Sequence, residues 1–130
     1  MATISTNKKV NGAYHQYNNY DEALKESGAD IVYISLPNSL HYNWALKSLR
    51  AGYHVIVDKP LCEKKAELKK LFFYAKKNKK LIVESNFFNY HNQITYTKKL
   101  IGNLSKIINI HANFIIPYPP KKNILISKKL

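Results

Sequence analysis

Three short apolar, β-branched runs separated by two helical stretches set the strongest limit on what this chain can fold into. Ile31 to Leu36 (IVYISL) is the first, bounded by Gly28-Ala29-Asp30 and by Pro37. His54 to Val57 (HVIV) is the second, and Leu81, Ile82 and Val83 begin the third. Runs that are apolar throughout, without alternation, read as strands buried on both faces. Between the first two, His41 to Ala51 (HYNWALKSLRA) offers Trp44, Ala45, Leu46 and Leu49 to one side, and Gly52 stops it. Glu63 to Lys80 offers Ala66, Leu68, Leu71, Phe72, Phe73 and Ala75 inward and its lysine doublets outward. Strand, helix, strand, helix, strand with short joins is the pattern of parallel βαβ units, with helices expected on both faces of the sheet.

The flanks are less regular. A shorter helix, Asp21 to Ser27, precedes the first run, with Asp21 placed as its N-cap. After residue 90 the character changes. Gln93 to Leu100 reads as a helix ending at Gly102. Ile107 to Ile116 then alternates, with Ile108, Ile110, Ala112, Phe114 and Ile116 on one side and Asn109, His111 and Asn113 on the other. That predicts a half-buried strand of an antiparallel sheet. The tail PYPPKKNILISKKL is irregular and basic. The expected division is residues 1–90 as a parallel α/β unit and residues 91–130 as the opening of a second, α+β domain.

Charge limits the partners. The formal net charge is +13, carried almost entirely by lysine, with Arg50 the only arginine. Base-reading surfaces favour arginine, whose planar fork matches guanine and phosphate. Lysine doublets spread along the whole chain argue for a compositional bias and against a nucleic-acid surface. Cys62 stands alone, which rules out an internal disulfide or a cysteine metal cluster. The opening MATISTNKKV lacks a secretory apolar core, and no run approaches the roughly 20 residues that span a membrane. A soluble, cytoplasmic setting is expected.

Two turns could carry chemistry, because open α/β sheets bind ligands beyond the carboxyl ends of their strands. Leu36-Pro37-Asn38-Ser39-Leu40-His41 joins the first strand to its helix. Pro37 fixes the turn, and Asn38, Ser39 and His41 bring polar groups to the free N–H groups of a helix start, with Asn38 or Ser39 as its cap. Asp58-Lys59-Pro60 follows the second strand. An ammonium there faces the crevice, and the carboxylate of Asp58 could accept from a sugar hydroxyl. The plainer alternatives are a capped helix and a lysine snorkelling to solvent. The two turns gain weight together, since a sheet of parallel strands puts both at one edge.

The stretch IVYISLPNSLHYNWALKSLRAGYHVIVDKPLCE closely resembles the NAD(P)-dependent sugar and inositol oxidoreductases of the Gfo/Idh/MocA type. That family has a strand, a Pro-Asn-x-x-His turn, a helix, Ala-Gly-x-His-Val and a Glu-Lys-Pro signature in this order. Here they stand as Pro37-Asn38 with His41, Ala51-Gly52-Tyr53-His54-Val55, and Asp58-Lys59-Pro60. The likeness continues through ESNFFNYHNQ and covers most of residues 20–116.

The resemblance implies a partial Rossmann-like sheet with flanking helices. It implies NAD or NADP as cofactor and a sugar or cyclitol as substrate. It places Leu36, Pro37, Asn38, His41, Asp58, Lys59 and Pro60 on the cofactor, and gives Lys59 the catalytic part of orienting the sugar between it and the nicotinamide. Asp58 replaces the usual Glu and is one methylene shorter. Phe88-Asn89 and Asn92 replace a Tyr-Arg pair and a proline, so substrate contacts do not carry over there.

Two expected parts are missing from the sequence. A dinucleotide fingerprint needs closely spaced glycines after a first strand, whereas Gly12, Gly28, Gly52 and Gly102 lie far apart. The family's second strand would fall near Ala2 to Ser5, with Ser5, Thr6 and Asn7 close to the adenosine ribose and no acid there to disfavour NADP. The family's Asp-x-x-x-His pair has no match, and His91 and His111 are poor substitutes for its proton-transferring histidine. The reading is therefore a family member truncated at both ends and inactive alone, acting as a homo-oligomer or with a complementary chain if at all. A non-enzymatic module with a basic surface for an anionic partner is the alternative.

Overall fold

Strand β3 (Ile31–Ile34) pairs in parallel with β4 (His54–Asp58), and β4 pairs in parallel with β5 (Ile82–Ser85). These belong to a computed structural model that describes residues 2–4, 11–13, 15–113 and 115. Contacts divide the chain into two units, Met1–Ser85 and Asn86–Leu130.

In the first unit, β1 (Ala2–Ile4) and β2 (His15–Tyr17) form a separate parallel pair, followed by helix α1 (Tyr20–Glu26). Helix α2 (Asn38–Arg50) links β3 to β4, and helix α3 (Lys65–Lys77) links β4 to β5. The parallel α/β architecture is thus present.

The core lies on one side of the three-stranded sheet. Val55 and Val57 of β4 and Ile34 of β3 meet Ala45, Leu46 and Leu49 of α2 and Leu71 and Ala75 of α3. A strand sends alternate side chains to opposite faces. Ile31, Tyr33 and Val83 therefore point the other way, and they are 55%, 54% and 51% exposed. The expectations of strands buried on both faces and of helices on both faces both fail here. The strands follow one another in chain order, and right-handed crossovers then bring both helices to the same side.

Helix ends also differ from expectation. Asn19, not Asp21, caps α1, its Oδ1 accepting from the Asp21 N–H at 2.8 Å and the Glu22 N–H at 3.4 Å. Helix α2 starts three residues early, with Pro37 at the cap position and no side chain capping it, so neither Asn38 nor Ser39 is the cap. Its other end matches: Gly52 has φ +90°, a left-handed backbone that only glycine adopts freely. On α3, Leu68, Leu71 and Ala75 make the inner stripe, whereas Ala66, Phe72 and Phe73 face solvent. Positions 68, 71 and 75 follow the helical repeat, and 72 and 73 are each rotated about 100° further round.

Helix α1 is tied to α2. The Tyr20 and Trp44 rings stand edge-on at 5.0 Å, Lys47 bonds Asp21 at 2.8 Å, and the Tyr53 hydroxyl donates to Leu24 O.

The second unit holds a 3-10 turn, Phe87–Tyr90, and helix α4 (Asn92–Gly102), where none of the residues is buried. Residues 107–113 form no strand, and Ile108 is 90% exposed. An alternating segment becomes a strand only against a partner, and among the described residues none pairs with it. Ser5 to Asn7, Phe114, Ile116 and the basic tail lie outside the described residues.

Candidate functional site

Parallel pairing decides where the two turns lie. The register sets Ile34 beside Val57, so β3 and β4 end together, and Leu36–Asn38 and Asp58–Pro60 open at the same carboxyl edge. Each turn follows from its strand and from a proline. Pro37 holds φ at −56° where β3 passes into α2, and the Lys59–Pro60 peptide is cis.

His41 fastens the turns to each other. It sits in the first turn of α2, is 1% exposed, and places Nε2 2.6 Å from Leu36 O and Nδ1 2.7 Å from Pro60 O. Both partners are carbonyl oxygens, which only accept. Both contacts are hydrogen bonds when both ring nitrogens carry a proton; a neutral ring satisfies one of them. His41 is thus enclosed, with a backbone carbonyl beside each ring nitrogen.

Asp58 is also held. Its Oδ1 accepts from the Tyr33 hydroxyl at 2.6 Å and its Oδ2 from the Ser35 hydroxyl at 2.7 Å. These two bonds, Tyr33 first, hold the carboxyl below its usual range. The Tyr33 phenol is pushed up, chiefly by its bond to that carboxylate. On the far side, Glu84 of β5 accepts from the Leu61 N–H at 3.2 Å and steadies the chain after Pro60.

Tyr33, Ser35 and Glu84 were not among the residues that the sequence pointed to. Two of them left a signal: with β3 and β4 in register, Tyr33, Ser35 and Asp58 fall on one face of the sheet. Glu84 left none, since its contact depends on the path of the loop.

Lys59 and Asn38 are exposed, and neither side chain forms a hydrogen bond or ion pair among the described residues. Pro37 is exposed, while Leu36 and Pro60 are half-buried, each giving its carbonyl to His41. The edge thus presents one free ammonium, one free amide, an uncapped helix start and a pinned carboxylate. Among the described residues no helix is long and apolar enough to cross a membrane.

Parallel strands joined by helices, with polar turns gathered at their carboxyl edge, make an α/β domain of the kind that takes ligands at that edge. The family model of the Gfo/Idh/MocA oxidoreductases, which have an NAD-binding Rossmann fold, matches residues 5–87. The chain belongs to this family.

One relative is the dTDP-3,4-didehydro-2,6-dideoxy-alpha-D-glucose 3-reductase of Streptomyces violaceoruber. It is 34% identical over 100 residues, which are 75% of this chain and 29% of the relative. Among solved structures, a 3-ketoreductase from Actinomadura kijaniata in complex with TDP-benzene and NADP superposes with a TM-score of 0.69. It is 28% identical and covers 78% of this chain and 34% of its own. The myo-inositol 2-dehydrogenase of Lactobacillus plantarum shares the fold, with a TM-score of 0.70 at 21% identity over 78% of this chain and 32% of its own. The chain spans about a third of the length of the relatives it matches.

Proposed function

We propose that this chain supplies the nicotinamide-side edge of an NAD(P)-dependent oxidoreductase acting on CH–OH groups of sugars or cyclitols. Alone it does not turn over. The observation that carries this reading is the clamp of His41 on Leu36 O and Pro60 O, which holds both family turns on one crevice.

The residues present fit part of a dinucleotide. Pro37 and Asn38 stand at an uncapped helix start, where the Leu40 N–H donates to Pro37 O and the N–H groups of Asn38 and Ser39 are left for an acceptor. The Lys59 ammonium, unpaired at the neighbouring turn, suits a substrate hydroxyl that develops negative charge as hydride leaves. When bound, NAD(P) would supply the hydride acceptor. The pyrophosphate has no cradle in this sequence, because no two glycines are close enough to form one. Asp58 spends a bond from each oxygen on Tyr33 and Ser35, so its part is to hold β3 against β4 and aim the adjoining Lys59.

Backbone NMR during an NADPH titration tests this. Saturable shifts centred on Asn38, Ser39 and Lys59, with no oxidation of inositol or glucose in a coupled absorbance assay, are expected. Measurable turnover by the isolated chain, or shifts confined to the lysines of α3, would overturn it.

One observation favours a second reading, an interaction module for an anionic partner. The outer face of α3 sets exposed Phe72 and Phe73 among exposed Lys65, Lys69, Lys70, Lys76 and Lys77. Salt-sensitive binding to heparin without any effect of NADPH would support it.

A further inference from the structure

We infer that the outer face of α3 docks the chain on an anionic lipid surface, with the Phe72 and Phe73 rings entering the bilayer interface and the lysines around them meeting the headgroups. The inference rests on the second reading above, that of an anionic partner, and gives that partner a class. It concerns a helix face, not the two turns.

The helical repeat builds the face. Leu68, Leu71 and Ala75 form the inner stripe of α3. At about 100° per residue, position 73 then points away from that stripe. Lys69, Lys70, Lys76 and Lys77 stand three and four residues to either side, so they ring Phe73. Phe72 lies beside it, with Lys69 and Lys76 as its own near neighbours. All six side chains are exposed, Phe72 at 52% and Phe73 at 60%. The Phe73 ring is steadied there. It meets the Tyr74 ring edge-on at 5.3 Å, and the Tyr74 hydroxyl accepts from Arg50 of α2 at 3.0 Å.

Charge is concentrated on this helix. Lysines run through the whole chain, yet eight of the twenty fall within residues 64–80, against a single acid, Glu67. That carboxylate is turned to the helix start, where it accepts from the Lys64 N–H at 3.3 Å. None of the four lysines around Phe73 makes an ion pair among the described residues. Lys65 and Lys69 stand four apart, and like charges at that spacing destabilise a helix. An external anion removes that cost.

The mixture of side chains selects the occupant. A polyanion would use the ammonium groups alone and leave two phenyl rings in water. A base-reading partner favours arginine, and Arg50 is already engaged by the hydroxyl and ring of Tyr74. A lipid interface takes both kinds of group at once. Aromatic rings settle at the acyl boundary, while lysine stems lie along apolar surface and carry their charges out to the headgroups. The 13 residues of α3 extend about 20 Å, enough to lie along such a surface, and no described helix is long and apolar enough to cross it.

The test uses the whole chain and no cofactor. The probes are vesicles of phosphatidylcholine and phosphatidylserine in equal parts, vesicles of phosphatidylcholine alone, and heparin as a polyanion without lipid. Co-sedimentation should show saturable, salt-sensitive binding to the mixed vesicles and none to phosphatidylcholine. Phe72→Ser with Phe73→Ser should weaken vesicle binding at least about tenfold and leave heparin binding unchanged. Phe72→Leu with Phe73→Leu should keep vesicle binding, since leucine also enters the interface. Replacing Lys69, Lys70, Lys76 and Lys77 by glutamine should weaken vesicle binding by more than about a hundredfold. A spin-labelled lipid in the mixed vesicles should broaden the amides of residues 69–77 in the unmodified chain and spare α2, a readout that needs no variant.

No binding to the mixed vesicles, equal binding to phosphatidylcholine, full binding by the serine variant, or broadening centred outside α3 would each overturn the inference. Heparin binding without vesicle binding would sink it and leave the second reading standing, whereas binding to neither would sink both. Tighter binding to a single-stranded oligonucleotide, lost in the leucine variant, would make nucleic acid the occupant and overturn it as well.

Discussion

Replacing His41 by phenylalanine separates the clamp from simple core packing. The ring volume is roughly kept, so the cavity cost of a large-to-small change is avoided. What is lost is the donor set between Leu36 O at 2.6 Å and Pro60 O at 2.7 Å. A hydrogen bond contributes about 1 kcal/mol net, and a buried carbonyl left without a partner costs about 1–3 kcal/mol. Leu36 and Pro60 are half-buried, so water reaches their carbonyls in part, and a neutral ring donates to one of them, so the loss should be about 1–3 kcal/mol. A domain has a total of about 5–15 kcal/mol. With m near 1–2 kcal/mol/M, the urea midpoint should fall by at least about 0.5 M at unchanged slope.

Leu49→Ala is the matched control. Leu49 is fully buried in the same helix, so truncation costs a similar sum, about 2–5 kcal/mol, with no bond to either turn. Both variants lose stability, but His41→Phe alone should move the amide resonances of Asn38 and Lys59 in the fraction that stays folded. A fall in midpoint below about 0.3 M, or identical shifts at both turns in the two variants, would refute the clamp.

Two further changes follow from other contacts. Tyr33→Phe removes the larger of the two bonds that depress Asp58, so its carboxyl should rise toward the ordinary value near 4, read by carbon NMR titration. Because the folded-state value of Asp58 is the lower one, its stabilisation is complete above the unfolded value and fades as pH falls through the folded one. The loss on acidification should therefore set in at the same pH in both chains, but be smaller and complete at higher pH in Tyr33→Phe than in the parent. Gly52→Ala meets no neighbour within 4 Å but must adopt φ +90°, so it should cost about 1–2 kcal/mol through backbone alone, measured by thermal melting.

The strands and helices of the first unit were legible because period and punctuation agreed. The β-branched runs ended at Pro37 and before Lys59-Pro60 and the helical run between them at Gly52, and each ended there in the structure as well. Which face would be covered was not legible. IVYISL is apolar on both sides whether or not a helix lies on each, and the side that stays open follows from strand order, a property of the whole sheet. The helix caps were misplaced for a local reason. Asn19, Asp21, Asn38 and Ser39 all have capping side chains, and the choice among them depends on where the entering backbone turns. The alternation at 107–113 was real as a pattern, yet a pattern of period two does not make a strand without a neighbour.

The bonds that shape the crevice share one property: His41 to Leu36 and Pro60, Asp58 to Tyr33 and Ser35, and Glu84 to Leu61 all join residues within β3, α2, β4, β5 and their turns. None depends on β1, β2 or the second unit. The two turns are therefore held by the packed βαβαβ segment, and a ligand reaching the crevice would meet an edge that is already formed. Little ordering entropy would then be lost on binding there. The open face of the sheet differs, because Tyr33 and Asp58 bond each other there. A partner covering that face must desolvate a carboxylate, so it has to bring a donor of its own.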